Sequence, residues 1–181
     1  MLWGAMNGTL EVRAEGGAAR LRAVFPYGRE TEIAPGRFEV IAPRAFAARI
    51  QSGEDIHLLA GHSYDRPLAS RAAGTLRLTD GAEALAVEAE IDASTSWAAD
   101  FLAAHRAGLI RGLSPGFRVP PGGERIVQRG GAVLRTVTAA ELFEVSAVTR
   151  PAYPEAQIEA RSWQAAAEPP RAAHALNRWR I

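Results

Sequence analysis

The stretch Leu85-Ala86-Val87-Glu88-Ala89-Glu90-Ile91-Asp92 alternates apolar and polar side chains with period two over eight residues. That is the pattern of a half-buried β-strand, because successive side chains leave a strand on opposite faces. Ala19, Leu21, Ala23 and Phe25 repeat it against Arg20, Arg22 and Val24. Segments 125–128 and 132–138 flank Arg129-Gly130-Gly131, a hairpin signal in which glycine supplies positive φ. Segments 9–14, 55–60 and 140–149 read as further strands. Two helices interrupt the series. Residues 43–51 open with Pro43 and close before Gly53. Residues 95–106 start from Ser94 or Thr95 as N-cap and stop at Gly108. Short strands in this number, with two helices, predict an α+β, mainly β fold: a small closed or nearly closed antiparallel β-barrel flanked by a few helices.

The chain has 181 residues, enough for one domain with its own core. Residues 1–161 are read as that domain, with 155–161 as a last short helix or strand. The run Gln164-Ala165-Ala166-Ala167-Glu168-Pro169-Pro170-Arg171 reads as a linker, making 162–181 a flexible basic tail. The absence of cysteine excludes disulfide frameworks, thiol nucleophiles and zinc–thiolate sites. No apolar run has the length of a membrane span, and Met1-Leu2-Trp3-Gly4 does not open a signal peptide, so an intracellular protein is expected. All 21 basic residues are arginine. Residues 1–160 hold 17 of them against 19 acids, a net of −2, whereas 161–181 hold 4 against 1, a net of +3. Backbone binding to nucleic acid wants a concentrated positive stripe, which this distribution lacks.

Of the four histidines, His105 lies on the second helix and His174 in the tail. His57 and His62 are five apart with no third clustered ligand, so no metal site is expected. His62 follows the apolar run Ile56 to Gly61 and opens a polar turn, Ser63-Tyr64-Asp65-Arg66-Pro67. A base at a strand end beside a loop is placed to meet substrate; the plain alternative is a turn histidine bonded to its own loop. Ser114 sits in Gly108-Leu109-Ile110-Arg111-Gly112-Leu113-Ser114-Pro115-Gly116-Phe117. Flanking glycines leave its hydroxyl accessible, although a turn serine reads the same way. Gly112 to Gly116 also matches the G-x-S-x-G elbow of α/β-hydrolases, and three features oppose that reading. Pro115 lacks the N–H the elbow uses, only His174 follows the serine, and no βαβ pattern is present. In a strand, Leu142, Glu144, Ser146 and Val148 would share one face. A buried Glu144 there needs a partner, either an arginine or an imidazole.

Four segments in order, from about residue 18 to 158, resemble the HK97-family prohead proteases of tailed phages, relatives of the herpesvirus assemblins. They are Glu39-Val-Ile-Ala-Pro-Arg-Ala-Phe46, Leu58-Leu59-Ala60-Gly61-His62, Gly108 to Phe117, and Leu142-Phe-Glu-Val-Ser-Ala-Val-Thr-Arg-Pro-Ala152. Ala69-Ser70 departs from the family's usual Gly-Arg, and Pro115 from its usual aliphatic residue. The resemblance implies an assemblin-like barrel and a serine endopeptidase with His62 as base, Ser114 as nucleophile and Glu144 as third member. Arg111 and Gly116 are the candidates for oxyanion or substrate contacts. It implies no cofactor and no metal. The implied partners are the N-terminal scaffolding segment of the major capsid protein, the protease itself through autoprocessing, and a possible homodimer, with no membrane and no specific nucleic acid. The implied location is the bacterial cytoplasm, inside the assembling prohead. The rivals are an inactive internal scaffold protein and a nucleic-acid-binding barrel using strands such as that of Arg20 and Arg22.

Overall fold

The alternating stretch becomes the central strand of the first sheet. A computed structural model describes residues 10–15 and 17–149. In it β1 (Leu10–Glu15), β2 (Ala18–Pro26), β7 (Leu76–Asp80) and β8 (Ala84–Asp92) form an antiparallel sheet in the order β1-β2-β8-β7. Register places Leu21 opposite Ala89, Ala23 opposite Val87 and Phe25 opposite Leu85. All six are buried. On the solvent face the same register pairs Arg20 with Glu90 and Arg22 with Glu88, at 3.5 and 3.2 Å. Those two arginines therefore each face a carboxylate.

The second sheet has the order β10-β11-β4-β3, from β3 (Thr31–Ala34), β4 (Arg37–Ile41), β10 (Glu124–Arg129) and β11 (Ala132–Val137). Its hairpin turns at Gly130 and Gly131, both with positive φ, as the sequence predicts. Buried Arg135 is held by Glu124 and Glu39 at 2.5 and 2.9 Å, which supplies the pairing that a buried charge requires. The third sheet, β6-β5-β12-β9, is built from β5 (His57–Ala60), β6 (Ser63–Ser70), β9 (Gly112–Arg118) and β12 (Glu141–Val148).

The mainly β class holds, with two helices, α1 (Ala47–Gln51) and α2 (Ser96–Arg106). Barrel closure does not appear: hydrogen bonding among the described residues leaves three separate four-stranded sheets. Nor is the pairing purely antiparallel, since β11 runs parallel to β4 and β12 parallel to β5. Long connections bring these distant strands together, and local periodicity carries no record of them. Helix α1 begins at Ala47 and not at Pro43, because Arg44 has φ 59°, outside the helical region. Gly108, with φ 72°, follows the end of α2. Segments 31–34, 37–41, 63–70 and 76–80 are strands that the alternation did not expose.

The sheets share a core. Phe46, fully buried, meets Phe25 edge-on at 6.2 Å and Phe117 at 5.6 Å between centroids. Each such pair contributes about 0.5–1.5 kcal/mol beyond the area it buries. This contact ties the first sheet to β9, which carries Ser114. The expected boundary at 161, the element at 155–161 and the tail 162–181 lie outside the described residues.

Candidate active site

In the third sheet β12 lies between β5 and β9. Its register sets Ser146 opposite Ser114 and Glu144 opposite Gly116 on one side, with Glu144 opposite His57 on the other. Directly paired residues share a face with Cβ atoms about 5 Å apart, so Ser114, Glu144 and Ser146 project together. Leu142 does not join them. The register shifts between Leu142 and Glu144, making Phe143 the extra residue of a β-bulge. Leu142 consequently pairs with Phe117 and drops into the core, which corrects the four-residue face that uninterrupted parity predicts.

His62 reaches this face through a tight turn. Ala60 pairs with Ser63, so Gly61 and His62 form a two-residue hairpin connection with φ of 64° and 59°. Positive φ at both central positions marks the type I′ turn, whose twist suits the flanking strands. Histidine tolerates that region better than most residues, yet the conformation still costs roughly 1–2 kcal/mol. Two hydrogen bonds hold it: Gly61 N–H donates to Ala147 O at 3.1 Å, and His62 N–H donates to Ser146 Oγ at 3.0 Å. The expected polar turn at 63–67 is instead the start of β6. Ala60 opposes Ser63 but Leu59 opposes Pro67, so Tyr64, Asp65 and Arg66 bulge out of the ladder.

The side-chain network is short and buried. His62 Nδ1 lies 2.6 Å from Glu144 Oε1, and Ser146 Oγ donates to Glu144 Oε2 at 2.5 Å. A carboxylate only accepts, so Nδ1 donates in this contact, and in a neutral imidazole that tautomer leaves the lone pair on Nε2. Nε2 is buried and has no hydrogen-bond partner among the described residues. This arrangement leaves a basic nitrogen waiting for a donor.

Two serines share the strand face of Glu144, and neither bonds Nε2. The Ser146 hydroxyl gives its proton to Glu144, accepts the His62 amide and is 0% exposed. The Ser114 hydroxyl makes no hydrogen bond among the described residues and lies directly across the ladder from Ser146. Of the alternatives open for Glu144, the imidazole is the partner found. Of those for His62, a histidine bonded only within its own loop is excluded by its bonds to β12.

Gly116 has a spatial reason. A Cβ built on it would overlap Glu144 Oε1 and fall 2.7 Å from Glu144 Cδ. Only glycine leaves the carboxylate room to lie across β9. Sequence reasoning singled out Gly116 without finding this contact. The position opposite Glu144 in an antiparallel partner was the signal.

Pro115 also has a place. Because Ala147 O receives the Gly61 amide, the polar backbone groups of Ala147 face β5, and those of Ser146 face β9. By the same alternation Pro115, opposite Val145, directs its nitrogen to the open side of β9, the end strand of the sheet. Proline is tolerated there since no ladder donor is lost. Arg111 lies in the segment before β9, exposed, with Nε on Gly108 O at 2.8 Å. His57 stacks edge-on with Tyr64 at 5.7 Å and pairs with Asp55 at 3.4 Å. Partial burial first, and the Glu144 carboxylate second, hold the Tyr64 phenol above its ordinary value, with Arg49 opposing. No group of three or more His, Cys, Asp or Glu suited to a metal ion occurs among the described residues, and no helix there is long and apolar enough to cross a membrane.

No curated protein and no solved structure matches the chain. A family model does: that of the caudovirus prohead serine proteases, over residues 9–169. The match spans all three sheets and includes His62, Ser114 and Glu144, and the chain therefore belongs to the caudovirus prohead serine protease family.

Proposed function

We propose that Ser114, His62 and Glu144 form the catalytic triad of a capsid-maturation endopeptidase. One observation carries the assignment. His62 presents a buried Nε2 with no hydrogen-bond partner among the described residues, while its Nδ1 is held at 2.6 Å by Glu144. Nε2 takes the Ser114 proton as Oγ attacks the scissile carbonyl carbon, and the C–O bond forms as the carbonyl π pair moves to oxygen. The imidazolium is stabilised by Glu144, which keeps its own charge. Collapse of the tetrahedral intermediate breaks the C–N bond, with the proton passing from Nε2 to the leaving amine. Water, deprotonated by the same nitrogen, then hydrolyses the acyl-serine. Ser146 fixes the second carboxylate oxygen and the turn that carries His62, so it is a positioning residue. Base catalysis of this kind contributes about 10²–10⁴-fold. For the oxyanion, Pro115 supplies no donor, and Arg111 has its terminal guanidinium nitrogens without a partner among the described residues.

The substrates we assign are the N-terminal scaffolding segment of the major capsid protein and the protease itself, met within the assembling prohead. The inactive-scaffold alternative is disfavoured by the intact His62–Glu144–Ser146 network. The test is co-expression with the neighbouring capsid gene, read by mass spectrometry of the products. Ser114→Ala is expected to abolish cleavage with the unfolding midpoint preserved, and Ser146→Ala to weaken it while leaving measurable turnover. Wild-type cleavage by Ser114→Ala, with total loss in Ser146→Ala, would transfer the nucleophile role to Ser146.

A further inference from the structure

A groove of about 710 Å³ opens beside the His62 turn, between α2 and the ends of β5 and β12. Its floor is apolar, with Phe101, Ile110 and Val148 among the lining residues, and Trp97 forms one wall. The Trp97 indole N–H donates to Pro67 O at 2.8 Å, which ties α2 to the bulge following His62. That bulge projects Asp65 and Arg66 into the lining, and α2 contributes Asp100. None of these three has an ion pair or side-chain hydrogen bond among the described residues. Two carboxylates against one guanidinium give the groove a net charge of −1. The bulge is the polar stretch after His62 that the triad leaves unused.

Ile110, which lines the groove, lies two residues before β9. Ile110 precedes Ser114 by four residues, roughly 13 Å at the rise of an extended chain. A peptide lying along β9 with its scissile bond at Ser114 would therefore bring a residue three to five positions away into the groove. Resting on the protease reading above, we propose that this groove is a remote substrate subsite for an extended protein segment bearing an arginine or lysine there. The basic head meets Asp65 and Asp100, and the methylene stem lies against Trp97 and the apolar floor. Long cationic side chains bury their stems in this way while keeping the charge at a polar rim, and a cation beside an indole gains further attraction. A glutamate at the same substrate position meets two carboxylates and is repelled.

The experiment uses the full-length protein and internally quenched peptides in which each position flanking the cleaved bond is in turn Arg, Ala or Glu. At one position three to five residues from the bond, kcat/KM is expected to favour Arg over Glu about 10-fold, the sum of two solvent-exposed charge contacts. Asp65→Asn with Asp100→Asn should reduce that ratio to about 2 or below, with an unchanged unfolding midpoint. Arg66→Ala should raise it. Indifference to Arg in the wild type, or a ratio that survives the double substitution, overturns the subsite while leaving the protease reading intact. A uniform gain in rate on all peptides in the double variant also overturns it, and assigns the groove to the chain's own residues 150–181, which continue from the lining residue Thr149. Absence of turnover with any peptide, together with a Ser114 that a fluorophosphonate does not label, removes both readings.

Discussion

Gly116→Ala tests whether Glu144 lies where the site requires it. The new methyl carbon would overlap Oε1 and fall 2.7 Å from Cδ and 2.9 Å from Cγ of Glu144. A free carboxylate would swing aside at little cost. This one is 4% exposed and held by His62 Nδ1 at 2.6 Å and Ser146 Oγ at 2.5 Å. Forcing it away costs about 1–3 kcal/mol in overpacking and about 1.5–3 kcal/mol for a lost hydrogen bond to a charged group. Together these give about 2.5–6 kcal/mol, a large share of the 5–15 kcal/mol typical of a domain. Catalysis should fall as it does when a triad acid is removed, on the order of 10⁴-fold. The measurement is a double-mutant cycle by urea unfolding, with peptide turnover read in parallel. In a Glu144→Ala background the three atoms nearest the methyl are gone, so Gly116→Ala should cost no more than about 1 kcal/mol and the coupling should reach about 1.5–5 kcal/mol. Additive costs would refute the steric argument. So would a stable Gly116→Ala variant with full activity.

Three further outcomes follow from the geometry. Glu144→Gln, which keeps an acceptor oxygen for His62, should reduce turnover less than His62→Ala, which removes the base; equal losses with intact folding would give Glu144 a more direct role. His62→Gly should unfold at higher urea than His62→Ala by roughly 1 kcal/mol, since both lose the ring and only glycine adopts φ 59° without strain; equal stabilities would deny the left-handed turn. Tyr27 donates to Asp80 Oδ1 at 2.6 Å, and burial first, then Asp80, raises the pKa of its phenol in the folded state. A raised folded value means stability that is complete below the unfolded tyrosine range near pH 10, begins to fall as pH climbs past it and goes on falling toward the raised folded value. Tyr27→Phe should flatten that alkaline fall in the unfolding midpoint, and an unchanged slope would contradict it.

What was legible in the sequence is what local periodicity can carry. Leu85 to Asp92 alternates because one face of β8 meets the core and the other meets water, and its neighbour β2, alternating in the same way, pairs with it apolar to apolar. Strand β6 escaped notice because its bulge of Tyr64, Asp65 and Arg66, closed by Pro67, carries the residues of a turn. Parity in β12 placed Glu144 and Ser146 together correctly and Leu142 wrongly, since a one-residue bulge inverts all that precedes it. The same limit governs the site. Each of His62, Ser114 and Glu144 could be singled out from its neighbours, but their placement on one sheet depends on two non-local pairings, β12 with β5 and β12 with β9. Those pairings also distinguish the two serines. Seen alone, Ser114 between glycines and Ser146 beside a glutamate are equally able to be nucleophiles. Set opposite each other across one ladder, Ser146 bonds Glu144 and the His62 amide, whereas Ser114 makes no hydrogen bond among the described residues, and this difference is why the nucleophile role is proposed for Ser114.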